Sequence, residues 1–352
     1  MVEDDFGETH MLRTYALAWA GLLGSLSLLT SGLAHAGLSN EELTHLSSSV
    51  VKVRTETRLG DQGIGSGAVV SPNHVATSCH VIAGARGVSI SKFGKSFAPV
   101  AVKADWKRDL CILKFDDLPL AAIPLGDSEE LRYEQEVIAV GFPNNARKPQ
   151  PSFGSIKALY PMDDSVIIRT SAGFRIGSSG GALLNDEGKL IGLTTFKSPG
   201  RSSYFYSLPV AWVKQLLDAP DSTLTAADQP PFWAKPEAEW PMFMRVVTPL
   251  MTEQWAALEQ LAQQWQQQER TNAEAHYYLG LAQQQQQKLN SAEQHLKQCI
   301  ALNSLHAGAY YQLGLIALAR GNQHEVTRIA GILDTLDSEA AAALGKAQEK
   351  PI

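Results

Sequence analysis

The chain has 352 residues, 44% of them hydrophobic and 19% charged, which is enough apolar material for two globular domains. Its formal net charge of -6, with no Lys/Arg-rich block along the chain, excludes the electrostatic footprint of a nucleic-acid binder. Three cysteines, Cys79, Cys111 and Cys299, exclude a disulfide framework, and their spacing matches no metal site.

The first predicted element is an export signal. Leu12 to Leu33 is an apolar run broken only by small polar residues and Arg13, and it ends in Ala34-His35-Ala36, an A-x-A cleavage site. The leader MVEDDFGETH is acidic where a signal peptide is basic. A start at Met11 gives MLRTYALAWAGLLGSLSLL, which restores the positive end. Residues 1–36 are expected to be a signal peptide and the remainder to be exported, to a bacterial periplasm or beyond. The alternative is a retained membrane anchor, because the run approaches the roughly 20 residues that span a bilayer.

Residues 45–218 read as all-β. Short apolar runs, among them SSVVKVRT, GSGAVVS, DLCILKF, EVIAVGF, SVIIRT and KLIGLTTF, are separated by Gly, Pro, Asn and Asp. Strands at such close spacing predict a barrel or sandwich rather than βαβ units. Residues 219–247, rich in Pro, Ala and acidic side chains and without hydrophobic period, read as a linker.

Residues 248–350 read as helical and Gln-rich. Tyr277-x-Leu279-Gly280 recurs as Tyr311-x-Leu313-Gly314, a shift of 34 residues, and Ala275 recurs as Ala309. That is the tetratricopeptide period, although the Trp and final Pro of the pattern are absent; two repeats with a partial one before them are expected, with a protein partner on their surface. A Gln-rich array of helical hairpins is the plainer alternative.

The chemistry centres on GSSGGALL at residues 177–184. It contains G-x-S-x-G, the nucleophile elbow of α/β-hydrolases, but that motif needs a following helix and a downstream histidine. Here ALLNDEGKLIGLTTF follows, a two-strand pattern, and the downstream histidines 276, 295, 306 and 324 all fall in the helical part. The elbow is excluded. A serine hydroxyl still requires a base, and the base a carboxylate that fixes its tautomer. Among the upstream histidines, His45 precedes the first strand, His74 sits in the turn SPNH, and His80 ends the apolar stretch ATSCH. His80 is the candidate base. Asp109 heads the apolar strand LCILKF, where a lone carboxylate would be costly and an imidazole would offset the cost. The order His80, Asp109, Ser179 is that of the chymotrypsin-type triad. Gly177 allows its backbone N–H to join that of Ser179 as an oxyanion hole. Cys79 and Cys111 adjoin these residues and can lie near each other, but two buried thiols are expected in preference to a bridge. Cys299 is expected as a packing residue.

At this point GIGSGAVVSPNHVATSCHVIAGA, RDLCILKF, PLGDSEELRYEQEVIAVGFP and GSSGGALLNDEGKLIGLTT together resemble the trypsin-like proteases of the HtrA (Deg) group, over about half the chain. The resemblance implies a double β-barrel with the site in the cleft between barrels. It carries over His80 as base, Asp109 as its orienter, Ser179 as nucleophile, and Gly177 with Ser179 as oxyanion hole. Three departures accompany it. Ser178 stands where the group has Asn, helical repeats stand where it has PDZ domains, and Gly173, six residues before Ser179, stands where trypsin has its specificity Asp. The implied substrate is a protein or peptide with a small or medium apolar residue at the cleavage site, its backbone paired along Thr194, Thr195 and Phe196. No cofactor and no metal is expected. The competing expectation is a catalytically silent, protease-like scaffold acting through its repeats.

Overall fold

The computed structural model describes residues 37–57, 60, 62–198, 203–221 and 229–349. The expected export signal lies outside the described residues. Among those that are described, no helix is long and apolar enough to cross a membrane.

A first helix, α1 (Asn40–Ser48), opens with a capping box in which Ser39 and Glu42 satisfy each other's backbone N–H groups. Then come β1 (Val50–Thr57), β2 (Gln62–Ser71), β3 (His74–Ser78), the helical turn α2 (Cys79–Ile82), β4 (Ala85–Lys92), β5 (Lys95–Phe97), β6 (Ala101–Asp105) and β7 (Leu110–Lys114). These strands form one antiparallel sheet in the order β5-β4-β1-β2-β3-β7-β6. Side chains alternate between two cores. Val51, Val53, Val69, Cys111 and Leu113 fill the sheet's own interior, while Val50, Ala68, Val70, Leu110 and Ile112 face the second half of the fold. Burial on both faces explains why Leu110–Leu113 is an unbroken apolar run.

The second half comprises β8 (Glu136–Gly141), β9 (Gln150–Met162), β10 (Ser165–Thr170), β11 (Ala182–Asn185), β12 (Leu190–Lys197) and β13 (Phe205–Pro209), closed as β10-β13-β12-β11-β8-β9. The expected pair of barrels is therefore one closed barrel and one seven-stranded sheet curled around its own core. Helix α3 (Val210–Asp218) returns to the first sheet, where Lys103 Nζ donates to the carbonyls of Leu217 at 2.6 Å and Ala219 at 2.5 Å.

The expected linker is a packed segment where it is described. Residues 229–247 bury Phe232, and α4 (Met242–Arg245) and α5 (Val247–Met251) bury Met242, Phe243, Met244, Val246 and Val247. Phe243 stacks on Tyr160 of β9 with ring centroids 4.4 Å apart. Pro231, Pro236 and Pro241 break this stretch into turns of three or four residues, Phe232–Ala234, Glu237–Glu239 and α4, each too short to show a period of 2 or 3.6.

Six helices complete the chain: α6 (Trp255–Gln268), α7 (Ala273–Gln285), α8 (Leu289–Leu302), α9 (Ala307–Ala319), α10 (Gln323–Leu336) and α11 (Ser338–Gln348). Both boundaries of α9 and α10 fall 34 residues after those of α7 and α8 (273 to 307, 289 to 323), and α6 stands 34 residues before α8 (255 to 289). The first helices dock on the closed barrel. Arg169 of β10 donates to the Tyr278 hydroxyl at 2.8 Å, and the Tyr133 hydroxyl donates to Glu274 at 2.9 Å. Trp265, Ala275, Tyr278 and Ala282 share the barrel's apolar core.

Candidate active site

His80 lies in α2, the single helical turn that ends β3, and Asp109 in the turn that opens β7. Strands β3 and β7 pair with Ser78 opposite Leu110, so the two turns meet at one end of the ladder. Asp109 takes a left-handed backbone, φ 62°, with its N–H bonded to the carbonyl of Trp106 at 3.3 Å and its own carbonyl accepting from Cys79 N–H at 3.0 Å. The turn aims the side chain inward, where it is fully buried.

Four donors compensate that buried charge. Asp109 Oδ1 accepts from the His80 backbone N–H at 2.8 Å. Oδ2 accepts from His80 Nδ1 at 2.7 Å, Thr195 Oγ1 at 2.7 Å and Trp233 Nε1 at 3.2 Å. A carboxylate only accepts, so Nδ1 carries the proton and the lone pair of the neutral ring lies on Nε2. The His80 side chain is 31% exposed, open to the cleft.

Cys79 and Cys111 form a disulfide, with Cα atoms 4.9 Å apart. This corrects the expectation of two thiols. Thr77 is the cross-strand partner of Cys111, and the turn into α2 brings Cys79 over the same position; sequence separation alone, 32 residues, carries no such proximity. Cys299 is free and buried among the helices, where burial pushes its thiol well above the ordinary range.

Ser179 sits in the loop between β10 and β11. Its hydroxyl donates to the carbonyl of Thr195 at 3.0 Å, not to His80. The loop is gripped from the first sheet by Ser66, whose N–H donates to the Ser179 carbonyl at 2.8 Å and whose Oγ donates to the Gly177 carbonyl at 2.7 Å. The glycines are obligatory at such close approach. Gly177 has φ +93°, and a Cβ there would lie 2.6 Å from the Phe142 carbonyl; Gly180 has φ +83° and would meet the Ser66 carbonyl at 2.3 Å. Among the described residues, no protein acceptor engages the N–H of Gly177 or of Ser179, whereas those of Ser178, Gly180 and Gly181 are all bonded within the fold. Two unpaired N–H groups flank the serine.

Gly173 lines a cavity of about 270 Å³ together with Gly141, Ser152, Arg175, Ser178 and Thr194. Thr194, Thr195 and Phe196 lie on β12, which pairs with β11 only as far as Leu193. Thr194 still bonds the serine loop through its backbone, its N–H donating to the Gly181 carbonyl at 2.9 Å and its carbonyl accepting from the Gly180 N–H at 2.7 Å, so among the described residues this edge of β12 lacks a partner only beyond Thr194. Thr194 is spent on structure, its Oγ1 donating to the Ser178 carbonyl at 2.7 Å. Thr195 has a role the sequence did not reveal, since its hydroxyl reaches Asp109 while its carbonyl holds Ser179. Trp233 and Ser66 were also missed; Trp233 lies in a stretch read as linker, and Ser66 reads as an ordinary strand residue in GSGAVV.

The closed barrel, the curled sheet, the His80–Asp109 pair and the serine loop all draw on one stretch of the chain that is similar to a known domain. Residues 65–193 match the family model of the trypsin-like peptidase domain. Over 157 residues the chain is 32% identical to a probable periplasmic serine endoprotease, DegP-like, of Halomonas elongata, covering 42% of this chain and 33% of the relative. It is 34% identical over 152 residues to the periplasmic pH-dependent serine endoprotease DegQ of Escherichia coli, covering 40% of this chain and 33% of that one. The chain thus spans about one third of the length of these curated relatives. The solved structure of the HtrA-type protease AlgW with a tripeptide aligns at a TM-score of 0.46 and 26% identity, over 50% of this chain and 61% of that one.

Proposed function

We propose that the chain is an exported serine endopeptidase of the HtrA type, acting in a bacterial periplasm, as its DegP-like and DegQ relatives are named. Residues 45–218 form the peptidase domain and residues 248–350 tetratricopeptide-like repeats that recruit a protein partner or substrate. The observation that carries the reading is the fully buried Asp109 bonded to Nδ1 of an accessible His80, with Ser179 linked to the same carboxylate through Thr195, whose carbonyl accepts the serine hydroxyl and whose own hydroxyl reaches Asp109.

In this reading a peptide adds to the edge of β12 beyond Thr194, along Thr195 and Phe196, its side chain next to the cleaved bond entering the cavity at Gly173. Arg175 in that wall disfavours Lys or Arg there, leaving small or medium uncharged residues. A substrate N–H takes the Thr195 carbonyl and releases the Ser179 hydroxyl to Nε2 of His80. His80 removes the hydroxyl proton as Ser179 attacks the scissile carbonyl, and later returns it to the leaving amine; Asp109 holds the ring and stabilises its cation. The N–H groups of Gly177 and Ser179 take up the oxyanion, each such donor being worth roughly 3 kcal/mol of barrier.

The Ser179 bond to Thr195 favours one competing reading, a silent scaffold in which the cleft only holds peptides. Labelling with a fluorophosphonate separates the two. The wild-type chain is expected to label, and Ser179→Ala and His80→Ala are not. A wild-type chain that stays unlabelled even with cell-envelope extract sinks the peptidase reading.

A further inference from the structure

Trp233 lies in a single 3-10 turn, Phe232–Ala234, between the two β-halves and the C-terminal helices. It lies outside residues 65–193 that match the peptidase domain, yet its indole N–H is one of the four donors to Asp109. Its ring meets His80 edge-on, centroids 5.2 Å apart at 88°, and stacks on Phe196 at 5.7 Å and 21°. Its neighbour Phe232 is pinned twice: the backbone N–H donates to the Lys107 carbonyl at 3.0 Å, in the turn that carries Asp109, and the ring packs against Phe196 at 5.5 Å.

We propose that Trp233 is a positioning residue supplied from outside the peptidase fold, which locks the His80–Asp109 pair in place by donating to Asp109 and walling off His80. The inference rests on the serine-peptidase reading for its consequence, though not for the contact itself.

Three features carry it. First, the indole offers a donor and no acceptor, the chemistry a buried carboxylate needs, and only tryptophan combines that donor with a ring large enough to reach both His80 and Phe196. Second, the ring is held from both halves of the cleft, by the turn of Asp109 on one side and β12 on the other. Its position is therefore set by the assembled fold. Third, Pro230 and Pro231 keep the approach extended and border a cavity of about 240 Å³ beside His80, Ala83 and Trp106. Without the ring this side of Asp109 would open towards water, which weakens a hydrogen bond that depends on burial.

The test uses the chain with Trp233→Ala and Trp233→Phe, the latter keeping a ring and losing the donor. Two readouts are taken: the downfield proton resonance of the His80–Asp109 bond, assigned by its loss in His80→Ala, and the rate of fluorophosphonate labelling. Trp233→Ala is expected to broaden or shift that resonance and to slow labelling roughly tenfold, with Trp233→Phe intermediate, as for one hydrogen bond to a buried charge. An unchanged resonance in Trp233→Ala overturns the proposal, as does labelling that accelerates, which would make the contact a brake. If Trp233→Ala fails to fold, Trp233→Phe decides alone, and wild-type behaviour in both readouts overturns it. A wild-type chain whose resonance responds to Trp233 but whose serine never labels leaves the positioning role standing and removes the peptidase reading instead.

Discussion

The Oγ of Ser66 stands 2.7 Å from the carbonyl of Gly177, and so ties the first sheet to the serine loop of the closed barrel. The same oxygen accepts the Phe142 N–H at 2.9 Å. Ser66→Ala leaves two buried backbone groups without partners. It is expected to destabilise the fold by about 2 kcal/mol and to slow fluorophosphonate labelling more than its loss of stability explains. Urea unfolding alongside labelling rates checks both; unchanged labelling would mean that the loop holds its shape without the clamp.

Thr195 contributes a second measurable bond. Thr195→Val keeps the shape of the side chain and removes the hydroxyl that reaches Asp109 Oδ2. Labelling is expected to slow by roughly tenfold, the worth of a hydrogen bond to a charged group, with the melting temperature little changed. A variant that labels at the wild-type rate would show that His80 and Trp233 satisfy the carboxylate unaided.

The Cys79–Cys111 disulfide joins the residue before His80 to the residue two beyond Asp109. Its removal in Cys79→Ser/Cys111→Ser is expected to cost about 4 kcal/mol, from the loop it closes in the unfolded chain. Thermal melts with and without reductant make the comparison: the wild type should shift down in reductant and the double variant should not. Equal response in both would place the effect elsewhere.

Acid should loosen the junction between barrel and helices. Burial by itself would raise the Glu274 carboxyl, but His306 at 3.0 Å, Arg169 and the Tyr133 hydroxyl outweigh it and hold the group below its ordinary value of 4.5. A depressed carboxylate stabilises the fold above its unfolded pKa, and that contribution is lost as pH falls through the lowered folded value. The wild type should therefore lose stability below pH about 4.5 more steeply than Glu274→Gln. Urea midpoints measured at neutral pH and in this acid range decide it, and parallel curves would refute the assignment.

Much of the candidate site was legible because its chemistry constrains residue type and order. A serine between glycines, an upstream histidine at a strand end and a carboxylate at the head of an apolar strand have few joint explanations. The helical period of 34 was legible for a similar reason, since each hairpin repeats the same packing and hence the same small residues. Cys79 and Cys111 were read as thiols because strand register, not spacing, brings them together. Residues 229–247 were read as a linker because prolines break the segment into turns too short to leave a period to detect.

The local alphabet by itself determined the strand-rich first part, the helical second part, and His80, Asp109, Gly173, Gly177 and Ser179 as the residues around which chemistry could be built. Tertiary structure alone decided the surroundings of that chemistry. It set Ser66 behind the serine loop, closed the disulfide beside His80, turned the Ser179 hydroxyl towards Thr195, and brought Trp233 back onto Asp109 from 124 positions away. Residue type and short-range order encode what a side chain can do, while contacts between distant segments depend on how whole sheets and turns pack, which no local pattern records.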